Sequence, residues 1–229
     1  MELIRRYREG EAKGHGVLED YSFFANGLID LYEATFDSKY LDYSLKVCDT
    51  MISDYYDQKS GGFFSALRNS DDLIVRAKEA SDGAIPSGNS VALLVLLRLA
   101  ELTSREDYRQ LAEKTVGAFW GGIENNPAGH TFMLVALNFM TAKKKEIVIS
   151  GEKASRPFKE LLAVIHEEYL PTSVVAFAEK QVEKLCPMVE GRISKPGEGP
   201  RVFVCENYSC KLPVTTRRAL LTELGLGKD

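Results

Sequence analysis

The stretch that decides the fold is 89–102, "NSVALLVLLRLAEL": its apolar residues leave no polar face of any width. A helix that is apolar nearly all round must have neighbours on every side. The helical periods next to it differ in kind. Residues 105–120 carry a single stripe of Tyr108, Leu111, Ala112, Thr115, Val116 and Phe119, the mark of a half-exposed helix. Upstream, 17–36 place Tyr21, Phe24, Leu28 and Leu31 at helical spacing, and Phe23, Ile29 and Tyr32 widen the apolar face into that of an enclosed helix. Residues 38–55 return to one stripe, Leu41, Leu45, Cys48, Ile52 and Tyr55, backed by Lys39, Asp42, Lys46 and Asp49. A third enclosed segment, 130–140, follows the turn residues Asn125, Asn126, Pro127 and Gly129.

Enclosed and half-exposed helices in alternation are what two concentric layers require, because inner helices meet protein on all sides and outer ones meet water. Helical hairpins in an α/α toroid satisfy the pattern, and so does an ordinary antiparallel bundle. Between the first two helical hairpins, "GGFFSA" and "DLIVRA" flank the turn composition "LRNSD" and predict a short β-hairpin. After Lys143–Lys145 the pattern becomes α/β. "EIVIS" reads as a buried strand, 155–169 as an amphipathic helix, "SVVAFA" and "RVFVC" as further strands, and 215–224 as a closing helix capped by Thr215 or Thr216. The expected fold class is therefore mainly α: a partial (α/α)6 toroid over 1–145 with a β-hairpin insertion, and a small α/β segment over 146–229 packed on it.

Composition narrows the function classes. The 229 residues contain 29 Lys plus Arg against 33 Asp plus Glu and no long basic run, so nucleic acid is not an expected partner. No stretch has the length and apolarity of a membrane span, and "MELIRRYREGEAKGHG" lacks the apolar core of a signal peptide, which together predict a cytoplasmic protein with no membrane partner. Four cysteines at this length do not make a disulfide scaffold. Cys205 and Cys210, with Cys186 ahead of them, are too few for a four-thiolate metal site, so no metal and no cofactor is expected. Buried free thiols are the plain reading of that pair; a disulfide, or exchange with a thioredoxin-type partner, is the sharper one, although no neighbour in sequence supplies a strongly basic setting.

The strings "GVLEDYSFFANGLIDLYEATFD" (16–37), "GGFF" (61–64), "VRAKEASDGAIPSGNSVALLVLLRLAELT" (75–103) and "VCENYSCKLPV" (204–214) together resemble the carboxy-terminal part of the spermatogenesis-associated, highly divergent thioredoxin-like family. The resemblance implies a toroid related to six-hairpin glycosidases and N-acylglucosamine 2-epimerases. It also implies that a thioredoxin-type domain and the first half of the toroid would precede the equivalent of Glu2. On that reading the chain is half a ring whose apolar flanks are covered by a separately encoded front half or by a second copy.

The candidate residues cluster ahead of the enclosed helices. Asp20 and Asp82 are the expected proton-handling groups on a sugar-like ligand, and His15 and His130 are assisting acids or bases. Glu19, Tyr21, Gly62, Phe63, Arg76, Lys78, Gly83, Ser87 and Asn89 would line the pocket; strand alternation sends one of Phe63 and Phe64 outward to stack on a sugar face. Arg76 and Lys78, if they face inward, would hold an anion. Each has a plainer reading: Glu19 and Asp20 as first-turn acids, Ser87 as a helix cap, Asp82 and Asn89 as ligands of loop backbone, the two phenylalanines as core, Arg76 and Lys78 as solvated ion pairs. The expected function is a carbohydrate-active toroid, isomerase- or epimerase-like; the alternative is a non-catalytic interaction module for a thioredoxin-type partner.

Overall fold

A computed structural model describes residues 1–68, 75–206 and 209–227. It is mainly α, with seven α-helices and two small sheets among the described residues. The chain divides into two compact units, Met1–Ala100 with Arg105–Met140, and Glu101–Ser104 with Thr141–Asp229.

The first unit opens with a hairpin of β1 (Ile4–Arg8) and β2 (Glu11–His15). Its two-residue turn is made by Glu9 and Gly10, both at positive φ (54° and 82°), the combination a type I′ turn requires. Every residue of both strands is exposed, so no apolar alternation marks them in the sequence. The N–H of Gly16 closes the hairpin on the Leu3 carbonyl (2.8 Å).

The helix α1 (Leu18–Thr35) then pairs with α2 (Ser38–Tyr55). The turn between them is built by Phe36, left-handed at φ 55° and buried against Tyr32, and by Asp37, whose side chain accepts the Lys39 N–H. Ser44 Oγ donates to the Ala25 carbonyl across the hairpin (3.0 Å), which satisfies a buried hydroxyl without opening the helix contact.

In α3 (Gly88–Thr103), Val91, Ala92, Leu93, Val95, Leu96, Leu97, Leu99 and Ala100 are all essentially inaccessible, as its sequence demands. Its Arg98 reaches α1 and holds Asn26, Asp30 and Glu33 at 2.6–2.9 Å. Amphipathic α4 (Glu106–Asn125) buries Tyr108, Ala112, Thr115 and Ile123 and is tied to α2 by Tyr108 Oη donating to Asp49 (2.6 Å). Last comes α5 (Thr131–Thr141), which buries Met133, Ala136 and Phe139.

Two helices read as enclosed are covered on one face only. On α1, Phe23, Phe24 and Leu31 are 38–47% exposed, and on α5, Leu134 and Val135 are 38% and 48% exposed. Between α2 and α3 the two arms of the expected β-hairpin share, among described residues, one Ser65 N–H to Ala77 carbonyl bond (2.8 Å), and Phe63 bridges instead to Tyr56 at the end of α2. Residues 69–74, which take in most of the hairpin's turn and the start of its second strand, lie outside the described residues.

In the second unit, β3 (Lys145–Ser150), α6 (Arg156–Glu167) and β4 (Ser173–Phe177) form a parallel βαβ crossover. Strand β5 (Arg201–Glu206) runs antiparallel to β3 on its other side, the two-residue β6 (Ser209–Cys210) pairs with β5, and the sheet order is β4-β3-β5-β6. The central strand buries Ile147–Ser150 completely, consistent with its continuous apolar run. Ser155 caps α6, Phe158 of α6 meets Phe177 of β4 edge-on at 5.7 Å, and α7 (Arg217–Glu223), capped by Thr216, closes the unit.

Candidate functional site

At the start of α1 the backbone N–H of Val17 donates to Asp20 Oδ2 (2.8 Å), the carboxylate half of a capping box. This holds Asp20, with Glu19 beside it, at the positive end of the helix. The two acids border an open groove of about 670 Å3 whose other walls are Leu3 and Ile4 of the hairpin, Phe23 and Phe24 of α1, and Ile85 of the loop before α3. The glycine at 88 sets how closely α1 and α3 approach: a Cβ there would come within 2.8 Å of Leu18 Cγ and 3.3 Å of the Glu19 carboxyl carbon. Two carboxylates beside two exposed phenyl rings can accept hydroxyl hydrogen bonds while the rings cover an apolar C–H face.

A second hollow, about 530 Å3, lies among His15, Glu2, Tyr21, Tyr55, Asp54 and Arg68. His15 does not sit at a helix entry facing the groove; it ends the exposed β2 strand, with Nδ1 2.7 Å from Glu2 Oε1. Tyr21 and Tyr55 are buried struts. The Tyr21 hydroxyl accepts the Leu3 N–H (3.0 Å), the Tyr55 hydroxyl donates to the Gly16 carbonyl (2.5 Å), and burial raises the Tyr55 phenol above its ordinary range.

Asp82 and His130 come together elsewhere. Asp82 Oδ1 accepts the Ser87 N–H (2.8 Å), Oδ2 accepts the Phe132 N–H in the first turn of α5 (2.7 Å), and the Asp82 N–H donates to the Gly129 carbonyl (2.7 Å). One carboxylate thus fastens the entries of two helices. His130 Nδ1 donates to the Asn126 carbonyl (2.8 Å), and the buried ring lies against Gly122 of α4. Ser87 caps α3 through the Ser90 N–H (3.2 Å), and the exposed Gly83 donates to the Ile85 carbonyl (3.0 Å). Fully buried Asn89 spends its whole amide on backbone: Oδ1 accepts from Phe63 N–H, and Nδ2 donates to the carbonyls of Phe63 and Glu79. Neither Asp82 nor His130 lines the groove of Glu19 and Asp20. Asp82, Ser87 and Asn89 thus hold backbone, the plainer of their two readings, and His130, expected as an assisting acid or base, is bonded to backbone away from the groove.

Phe63, expected to line the pocket, instead turns inward, buried and edge-on to Tyr56 at 5.0 Å, where its ring cannot meet a ligand. Phe64 faces outward and is covered by the Arg76 guanidinium at 4.1 Å and the Lys78 ammonium at 5.3 Å. Both cations are occupied. Arg76 donates to the carbonyls of Ala66 and Asp54, and Lys78 to Asp57 (2.7 Å) and the Gly61 carbonyl (3.0 Å). The Lys78 hydrogen bond holds the Asp57 carboxyl below its ordinary range, and burial lowers Arg76. Gly62, at φ +73°, packs under Phe119, whose ring a Cβ would meet at 2.8 Å.

The structure corrects the expectation of free thiols at 205 and 210: Cys205 of β5 and Cys210 of β6 are directly opposite in the antiparallel pair and form a disulfide. It also supplies the basic neighbour missing from the local sequence, because Arg192 Nη2 lies 3.3 Å from Cys205 Sγ and 2.8 Å from Cys210 Sγ. Cys48 and Cys186 are buried free thiols. Among the described residues no cluster of His, Cys, Asp and Glu could hold a metal ion, and no helix is long and apolar enough to cross a membrane.

Sequence reasoning missed Phe24 and Ile85 as groove walls and Arg192 as the partner of the sulfurs. Helical spacing places Phe24 and Leu31 on one stripe with Tyr21 and Leu28; the stripe that is buried is Tyr21, Ala25, Leu28 and Tyr32, and Phe24 and Leu31 fall at its open edge.

No protein-family model matches the chain. It is 32% identical over 205 residues to human spermatogenesis-associated protein 20, covering 87% of this chain and 26% of that protein. The rat counterpart is 33% identical with the same coverage, and an uncharacterized protein of Caenorhabditis elegans is 24% identical over 209 residues, covering 90% of this chain and 28% of that protein. The chain thus spans about a quarter of the length of these relatives, and its homology to spermatogenesis-associated protein 20 supports the family resemblance seen in its motifs.

Proposed function

We propose that this chain, homologous to a segment of spermatogenesis-associated protein 20, is the pocket-bearing part of a carbohydrate-active α/α toroid and takes a sugar-like ligand in the groove of α1. The observation that supports the reading is the groove itself: Glu19 and Asp20 beside the exposed rings of Phe23 and Phe24, with Ile85 opposite. Glu19 is the proton-handling candidate, since Asp20 already binds the Val17 N–H. Asp82, Asn89 and His130 hold the backbone around the entries of α3 and α5, and their roles are positional. The test is a panel of aldoses, N-acylhexosamines and oligosaccharides, titrated calorimetrically and assayed for isomerisation. Binding should weaken roughly tenfold in Glu19→Gln and in Phe24→Ala, the loss expected for one hydrogen bond or one stacking contact. A panel in which nothing binds overturns it.

A second reading is a non-catalytic interaction module, favoured by the uncovered apolar side chains Phe23, Phe24 and Leu31 on α1 and Leu134 and Val135 on α5. On this reading the chain is a scaffold for a thioredoxin-type partner, and the flanks seat that domain and the remaining helices of the toroid. The relatives carry most of their length outside the matched segment, which leaves room for them. A chain that sediments as a monomer and binds no dye sensitive to apolar surface would refute it.

A further inference from the structure

The disulfide has a setting that a merely structural bridge does not need. Its two sulfurs differ in access: Cys205 is fully buried in β5, whereas Cys210 is exposed in the edge strand β6. A single guanidinium group spans both. Arg192 is delivered by a turn in which Gly191 adopts φ +70°, and it is anchored by Nη1 donating to the Met188 carbonyl (2.6 Å) and by the Phe203 ring at 5.5 Å. From there Nη2 donates to both sulfurs. Neutral disulfide sulfur is a weak acceptor, whereas a thiolate is a strong one, so this donor gains most once the S–S bond opens. Glu146, directly opposite Cys205 in the β3–β5 register, is the nearby counter-charge of Arg192. The third cysteine of the unit, Cys186, is kept from competing: burial pushes its thiol up to about 12, so it remains protonated and non-nucleophilic.

We propose that Cys205–Cys210 is a thiol–disulfide exchange site that accepts two electrons from a protein dithiol. The thiolate of the incoming dithiol attacks the exposed Cys210 Sγ. A mixed disulfide forms, the Cys205–Cys210 bond breaks, and Cys205 leaves as a thiolate beside Arg192. The second thiol of the partner then attacks its own sulfur in the mixed disulfide and releases Cys210, again next to the guanidinium. The partner ends as a disulfide, Cys205 and Cys210 end reduced, and the two protons of the partner pass through solvent to the new thiols. Arg192 is a positioning and charge-stabilising residue for both departures. This site is independent of the groove on α1 and stands whether or not that groove binds a sugar.

The test uses the full chain in its oxidised form and a reduced Cys-x-x-Cys protein of the thioredoxin type as the electron donor, with differential alkylation and peptide mass measurement as the readout. A donor whose resolving cysteine is replaced should be trapped on Cys210. Arg192→Gln should slow reduction roughly tenfold through loss of thiolate stabilisation, and Arg192→Lys should restore most of the rate. Trapping on Cys205, or an unchanged rate in Arg192→Gln, overturns the proposal. If Arg192→Gln does not fold, the unaltered chain decides. In a glutathione buffer of cytosolic thiol ratio an exchangeable bridge opens, and a bridge that stays closed in that buffer and with the dithiol donor refutes the assignment.

Discussion

Asp82 offers the sharpest separation of chemistry from architecture. Its carboxylate accepts the N–H of Ser87 and the N–H of Phe132, one at the entry of α3 and one in the first turn of α5. Hydrogen bonds to a charged acceptor contribute about 1.5–3 kcal/mol each, and Asp82 is only half-buried, so the lower figure applies to both. Asp82→Ala should therefore cost about 3 kcal/mol. Asp82→Asn keeps one acceptor oxygen but turns an amide N–H toward the other donor, and should cost about half as much. At roughly 4 °C per kcal/mol for a unit of this size, the melting temperature falls by about 12 °C and about 6 °C respectively. Trp120 of α4 is the sole tryptophan of the chain, so its fluorescence follows the first unit alone. Ligand titration well below both transitions should be unaltered. Unchanged melting together with lost binding or turnover in Asp82→Asn would refute the capping account and return Asp82 to the chemistry.

Three further outcomes follow from the same contacts. Asn89→Ala removes two buried hydrogen bonds and one part-buried one and leaves the partner groups of Phe63 and Glu79 without their acceptor and donor, so tryptophan-monitored urea unfolding should show a loss of about 3–4 kcal/mol. Gly61→Ala places a Cβ against the Lys114 carbonyl at a residue held at φ +72°, and the same measurement should read a loss of roughly 2–5 kcal/mol. The Asp57 carboxyl is depressed by Lys78, so its contribution is complete above the unfolded value of about 3.9 and disappears as pH falls through the lower folded value. The melting difference between the native chain and Lys78→Met should accordingly correspond to about 1 kcal/mol near neutral pH and vanish in strong acid, and a difference constant with pH would contradict the linkage.

Much of the fold was legible because it depends on local periods. The apolar run of 89–102 required a surrounded helix, the single stripe of 105–120 required a half-exposed one, and the change of period after Lys145 announced the strands of the second unit. The hairpin at Ile4–His15 was not legible, since all its side chains face solvent and only the Glu9–Gly10 turn distinguishes it. The candidate residues were chosen by type and neighbourhood, and type does not say where a polar group spends its hydrogen bonds. Asn89 could have faced a ligand; it faces the backbone of residue 63, 26 positions away.

What the sequence determined by itself was that 89–102 is a surrounded helix and that 38–55 and 105–120 bury one face, the α/β character of the tail, and the family to which its motifs are similar, all readable within a few turns of chain; that α1 and α5 are covered on one face only was not. The tertiary structure alone decided that Phe63 turns inward, that Asp82, at the entry of α3, also holds Phe132 of α5, 50 residues further on, and that Arg192 meets both sulfurs of Cys205 and Cys210. These are contacts between residues remote in sequence, fixed by strand register and helix approach, and no local period encodes which distant partner a donor or acceptor will find.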